Sequence, residues 1–277
     1  MNEWRRKYAR GKLIDLDRHS THYIEKGEGE PVILLHGYFY DSLIWSKNID
    51  ALSKGFKVYA IDLWGFGYSS REPMDYSYQL YADQLLKFMD ALNIQKASLV
   101  GQSMGGGTCI VFCTQHREKA NKMVLVASGG MPNPPGLLIR IACLPRLGEF
   151  LFSLKGSRKG ILKTAFIYNG KFITDEYVES VTCFHQIKGT TEVLLKILRK
   201  KFFDKLLSEI KELCEIHLPI LIVWGRQDKS VPVECGQRMH KILKGSYLEI
   251  LDGAAHCPND EQPQKFNQLA IDFLSSS

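Results

Sequence analysis

The chain has 277 residues, 45% apolar and 24% charged, which fits an ordinary globular protein of one large domain or a domain with an insertion. No run of roughly 18 or more uncharged apolar residues occurs, so no membrane-spanning helix is expected. The formal charge is +6, and residues 131–215 carry 14 Lys/Arg against 9 Asp/Glu, so most of the excess lies in one third of the chain.

The opening Met1-Asn2-Glu3-Trp4-Arg5-Arg6-Lys7 is basic but no apolar stretch follows it, so no secretory signal is expected. The seven cysteines, at 109, 113, 143, 183, 214, 235 and 257, form no CxxC pair. Reduced thiols in a cytoplasmic setting are the expectation. Cys109 and Cys113 stand four apart, the spacing of small packing residues on one helix face.

Residues 11–17 and 21–27 read as a strand pair. Pro31-Val32-Ile33-Leu34-Leu35 is almost uninterruptedly apolar, as a strand buried on both faces requires. A helix is expected over 41–52, a buried strand over 57–62, and a helix over 78–92 with Leu80, Leu85, Phe88, Met89 and Leu92 inward. A strand over 97–100 leads into Gly101-Gln102-Ser103-Met104-Gly105-Gly106-Gly107, followed by a helix over 108–116 and a strand over 122–127. The rhythm breaks at Met131-Pro132-Asn133-Pro134-Pro135, because prolines continue neither a helix nor a central strand. From 137 to about 216 the pattern is helical, with Val193, Leu194, Ile197, Leu198 and Phe202 on one face. A strand over 219–224, a helix over 234–243, a strand over 247–251 and a helix over 263–274 close the chain. This alternation predicts an α/β fold with a mainly parallel, doubly covered sheet. The expected division is a core over 1–130 and 217–277 with a helical cap inserted over 131–216.

A serine between glycines at a strand-to-helix turn occupies a tight corner. Gly101 and Gly105 lack Cβ atoms, so strand and helix can approach closely, and the helix aims its first amides at the serine. A bare Gly/Ser turn is often chemically silent. Here the strand context and the partners downstream make Ser103 the candidate nucleophile.

With His36-Gly37 after the third strand, Asp62-Leu63-Trp64-Gly65-Phe66-Gly67-Tyr68-Ser69, Gly101-Gln102-Ser103-Met104-Gly105, Gly225-Arg226-Gln227-Asp228 and His256, the chain resembles the α/β-hydrolase superfamily over essentially its whole length. The resemblance implies an eight-stranded, mostly parallel sheet flanked by helices. It also implies that Ser103 attacks, His256 serves as base and Asp228 holds the ring, in the superfamily's chain order. The two oxyanion donors it implies are the backbone amides of Tyr38 and Met104. His36 reads as a buried support for its loop, and Asp62 as a loop-fixing residue that precedes the serine. No metal-ligand cluster and no cofactor fingerprint is visible, so no cofactor is expected. Arg199-Lys200-Lys201 lacks a nucleic-acid-binding fold around it and reads as a lid surface.

Apolar cap residues Leu137, Leu138, Ile141, Phe150, Phe152, Phe166 and Phe184 are candidates to line an acyl pocket, although packing within the cap explains many of them equally well. The expected activity is that of a serine esterase acting on a small-molecule ester with an apolar acyl chain. The region 129–178 is also similar to caps of the C–C hydrolases that cleave meta-fission products. That family commonly has Asn before the Ser-Met-Gly-Gly run and an aromatic after the histidine, where this chain has Gln102 and Cys257. A ligand receptor on the same fold, with slow hydrolysis, is a third reading.

Overall fold

The structure is a computed structural model and describes residues 10–276; the basic opening 1–7 lies outside the described residues. Strand β1 (Lys12–Leu16) turns through Asp17, at φ 53°, into β2 (His19–Lys26). Short polar side chains tolerate that left-handed backbone. Strands β3 (Glu30–Leu35), β4 (Phe56–Ile61), β5 (Ala97–Gln102), β6 (Ala120–Val126), β7 (Ile220–Gly225) and β8 (Tyr247–Leu251) follow. They form one eight-stranded sheet in the order β1-β2-β4-β3-β5-β6-β7-β8. The pairs β1·β2 and β2·β4 are antiparallel and all pairs among β3–β8 are parallel.

Successive side chains of a strand point to opposite faces, and both faces here are packed. Val32, Leu34, Val100 and Val124 join one apolar cluster, while Ile33, Leu35, Leu99 and Leu125 join the other. The first cluster is covered by α1 (Ser46–Leu52) and by the C-terminal helix Pro263–Ser275. The second is covered by α2 (Tyr78–Ala91) and α3 (Met104–Gln115). Ser77 starts α2 by accepting the Leu80 N–H, and Asp41 accepts the Leu43 N–H at the 3-10 turn Ser42–Trp45 that precedes α1. Cys109 and Cys113 are buried in α3, in keeping with a packing role.

Between β6 and β7 the described chain forms no strand. It runs through α4 (Leu137–Ala142), α5 (Leu147–Ser153), α6 (Ser157–Ile161), one wide turn (Leu162–Phe166), α7 (Asp175–Thr182), α8 (Thr190–Lys200) and α9 (Leu207–Cys214). Lys201, at φ 51°, ends α8, so Phe202 falls beyond the helix and lays its ring against Tyr78, 4.8 Å between centroids. Helices α10 (Val233–Ile242), α11 (Pro258–Glu261) and α12 (Pro263–Ser275) complete the layers. The parallel strands point the same way, so the residues after β3, β5, β7 and β8 gather at one edge of the sheet, where such folds hold their sites.

Candidate active site

Ser103 follows β5 directly and has φ 52° and ψ −113°, a backbone that a non-glycine residue adopts only when its surroundings impose it. Three hydrogen bonds do so. The Ser103 N–H donates to Val126 O at 2.8 Å, and the Ser103 carbonyl accepts from Gly107 and Gly129 at 3.1 and 2.9 Å. A Cβ on Gly101 would stand 2.6 Å from Gly106 Cα, and one on Gly105 would stand 2.6 Å from the Leu35 carbonyl carbon. The close approach therefore needs glycine at both positions. Helix α3 begins immediately, at Met104, four residues before the start read from the sequence.

The Met104 N–H opens that helix and has no acceptor within it. The Tyr38 N–H likewise has no acceptor among the described residues. Its loop packs against the serine: a Cβ on Gly37 would stand 2.8 Å from Ser103 Cβ. His36 is fully buried beneath, donating at 2.8 Å to Gly37 O through Nδ1 and accepting the Leu63 N–H on Nε2 at 3.0 Å. Burial pushes this imidazole below its ordinary range, which suits the neutral ring this bonding needs. Two further contacts fix the loop from residues 131–216. The Tyr38 hydroxyl donates to Leu194 O at 3.0 Å, and His185 Nε2 donates to Phe39 O at 3.0 Å. Burial drives His185 down to about 3, so it serves as a neutral donor.

His256 Nδ1 lies 2.8 Å from Asp228 Oδ2, with both side chains buried. The other carboxylate oxygen, Asp228 Oδ1, accepts the N–H groups of Ser230 and Val231 at 2.8 and 2.9 Å. Asp62 is occupied elsewhere. It meets His22 Nδ1 at 2.7 Å and accepts the N–H groups of Ser42 and Tyr68, both at 2.8 Å. Burial opposes its ionisation, but His22, His36 and the Tyr68 N–H outweigh that and hold its carboxyl well below the usual range.

Three contacts at the histidine were not legible in the sequence. Gln102 is fully buried, and its Nε2 donates to His256 O at 3.0 Å, so the residue beside the serine also anchors the histidine loop. Phe166 stacks on the imidazole, 5.3 Å between centroids and 27° between planes, and its carbonyl accepts the His256 N–H at 3.0 Å. Glu261 Oε1 accepts the Ala255 N–H at 2.8 Å and the Cys257 N–H at 3.4 Å, one residue either side of His256, while Oε2 accepts the Tyr168 N–H at 2.7 Å. A glutamate five residues after the histidine was the available signal for that clamp. Cys257 is buried, its thiol donating to the Tyr40 hydroxyl at 3.3 Å.

The expected pocket lining divides. Phe166 and Phe184 are buried, Phe152 and Ile141 are half-buried, and the Leu138 side chain lies outside the description. Leu137 and Phe150 are 69% and 58% exposed, so neither lines a pocket; helical spacing shows which residues share a face, not where that face points. A cavity of about 270 Å³ opens beside Phe39, lined among others by Phe152, Ile161, His185 and Arg158; Ser103 and His256 are not part of its wall.

Burial pushes the Glu261 carboxyl up to about 7 despite its three N–H partners, with Asp260 adding to the rise. Asp260 itself is engaged by Lys47 at 2.8 Å and by the Tyr177 hydroxyl at 2.6 Å. An unfolded glutamate has the ordinary value of 4.5, so the folded state holds this proton more tightly. The stability it contributes is complete below pH 4.5 and is lost as pH rises through about 7. Glu261→Gln removes that dependence, on the order of 3 kcal/mol at most. Urea unfolding of parent and variant across this range should show the difference growing with pH, and parallel profiles would assign the titration to another group.

A family model described as alpha/beta hydrolase fold matches residues 30–143. The 2-hydroxy-6-oxo-6-phenylhexa-2,4-dienoate hydrolase of Comamonas testosteroni is 32% identical over 280 residues, covering 97% of this chain and 96% of that protein. The 2-hydroxy-6-oxononadienedioate/2-hydroxy-6-oxononatrienedioate hydrolase of the same species is 30% identical, covering 94% and 93%. A solved meta-cleavage product hydrolase from Pseudomonas fluorescens superposes with a TM-score of 0.84 at 28% identity, covering 95% of this chain and 97% of that one. With the sheet order, the turn at β5 and these relatives in agreement, the chain belongs to the α/β-hydrolase fold family.

Proposed function

We propose that the protein is a serine hydrolase in which Ser103, His256 and Asp228 form a catalytic triad beneath a helical cap of residues 131–216. The observation that carries this reading is the left-handed turn at Ser103, tied through the Gln102 amide to the loop whose histidine is paired with Asp228. His256 takes the Ser103 proton as Oγ attacks the substrate carbonyl, and Asp228 stabilises the imidazolium. The Tyr38 and Met104 amides receive the oxyanion. Collapse expels the leaving group with the proton from His256, and water, activated by the same ring, releases the acyl group from Ser103.

Fluorophosphonate treatment should add one phosphonyl group, read by intact mass, and Ser103→Ala should take up none. Equal labelling of that variant would remove Ser103 from the role. Asp228→Asn retains a carbonyl oxygen for the Ser230 and Val231 amides but turns an NH₂ toward His256, favouring the wrong tautomer. Turnover should fall by about 10²–10⁴ while the protein stays folded. Near-parental turnover would place the acid elsewhere.

For the bond cleaved, the proposed class is a carboxylic ester with a short to medium apolar acyl chain. The rings about the Tyr38 loop and the base are aromatic: Phe66 and Phe203 lie 6.2 and 5.5 Å from Tyr38, and Phe166 covers His256. Such surroundings suit an acyl chain, whereas Lys155 and Arg158 line the cavity beside Phe39, whose wall includes neither Ser103 nor His256. The second reading, a C–C hydrolase of dienoates, is favoured by the named activity of the Comamonas relatives. Against it, Gln102 is turned to the His256 carbonyl and Cys257 is buried against Tyr40, so neither side chain reaches toward a bound dienoate. Comparing kcat/KM on p-nitrophenyl butyrate and on a 2-hydroxy-6-oxo-dienoate decides between them. The ester should be preferred; a preference above about tenfold for the dienoate, roughly 1.4 kcal/mol of transition-state stabilisation, would reverse the assignment.

A further inference from the structure

Nine large hydrophobic side chains are exposed among the described residues, and six of them fall within residues 137–154: Leu137, Ile139, Leu144, Leu147, Phe150 and Leu154. Leu147 and Phe150 stand at i and i+3 on α5 and face solvent together, and Leu154, just past the end of the helix, is exposed as well. The opposite side of α5 is turned inward, where Phe152 lies 6.5 Å from Phe39. Helix α4 packs on α5 and adds Leu137, Ile139 and Leu144 to the outer surface. Six large apolar side chains exposed on and beside two packed helices mark an interaction site more often than bare surface.

Charge identifies the partner. Residues 137–163 contain six Lys/Arg and a single acid, Glu149, so this stretch alone carries the whole +5 excess of residues 131–215. Glu149 is paired with Arg199 at 2.9 Å. Arg158 and Lys159 pair with Glu179 and Asp175, whereas Arg140, Arg146, Lys155 and Lys163 are exposed and have no ion-pair partner among the described residues. We propose that residues 137–155 are a docking face that seats the protein on an anionic lipid surface, with the leucines and Phe150 entering the headgroup boundary and Arg140, Arg146 and Lys155 lying among the phosphates. Unpaired cations around exposed leucines and a phenylalanine are the composition of an interfacial helix. A second copy of the chain fits poorly, because an isologous contact would bring this cationic face against itself. The inference is independent of the hydrolase reading, since it concerns binding alone.

Co-sedimentation with vesicles of phosphatidylcholine alone, and with about one third phosphatidylglycerol, tests it directly. The protein should bind the anionic vesicles, release as salt is raised, and bind the neutral ones at least tenfold more weakly. Arg140→Gln with Arg146→Gln should lower partitioning by roughly 25-fold, taking about 1 kcal/mol, or fivefold, per cation. Leu144→Ser with Leu147→Ser should lower it by at least tenfold. These four side chains are exposed, so thermal unfolding of both double variants should match the parent and separate lost docking from lost folding. The proposal is overturned by equal binding to both vesicle types, by no binding to either, by variants that bind like the parent, or by light scattering that shows a dimer dissolved by the leucine substitutions.

Discussion

A serine held at φ 52° and ψ −113° between the end of β5 and the start of α3 is the constraint on which the site depends. That backbone is unfavourable in isolation and persists because neighbours from three directions fix it. Val126 holds its N–H, Gly107 and Gly129 hold its carbonyl, and Gly101 and Gly105 allow strand and helix to close on it. Once the turn is set, α3 opens at Met104 with an N–H that has no acceptor within the helix, and the backbone at Gly37 packs against Ser103 Cβ.

The histidine is positioned by means that differ in kind from those at the serine. Gln102 reaches across from the end of β5, 154 residues away in sequence, and fixes the His256 carbonyl. Glu261 holds the backbone on both sides, and Phe166 covers the ring face. Two carboxyls therefore serve one loop differently. Asp228 meets the imidazole itself and can respond to its charge, whereas Glu261 meets only N–H groups and sets where the ring stands. A neutral or ionised Glu261 can accept these bonds, which is why a carboxyl raised to about 7 is compatible with an ordered loop.

The strands and the turn were legible in the sequence because their signals are local: an apolar run bounded by Gly or Pro reads as a buried strand wherever it occurs. The sequence places the start of α3 too late because Gly105, Gly106 and Gly107 are poor helix formers, and tertiary packing explains why the helix includes them. Asp228 and His256 could be singled out through the superfamily resemblance and its chain order, and they lie 2.8 Å apart. His22, Gln102 and Glu261 could not be assigned partners, because each acts through a neighbour distant in sequence. Leu137 and Phe150 show the complementary gap. Periodicity groups residues on a face, but the direction of that face is set by whatever the helix packs against.

The helices of residues 131–216 are joined to the site at four points, and this changes what they must be to the chemistry. Phe166 lies on the imidazole, the Tyr168 N–H is held by Glu261, Leu194 O receives the Tyr38 hydroxyl, and His185 holds the Phe39 carbonyl. Two of these contacts support the histidine loop and two support the loop that presents the Tyr38 amide. A segment that merely covered a finished site could be lifted away without disturbing it. Here, lifting it would leave Glu261 with one acceptor oxygen unpaired, the imidazole face open to water and the Tyr38–Phe39 turn free to relax from φ 80° at Phe39. The helices of residues 131–216 are thus part of the framework that fixes the His256 loop and the Tyr38–Phe39 turn, and the sheet with its flanking helices does not hold those two segments alone.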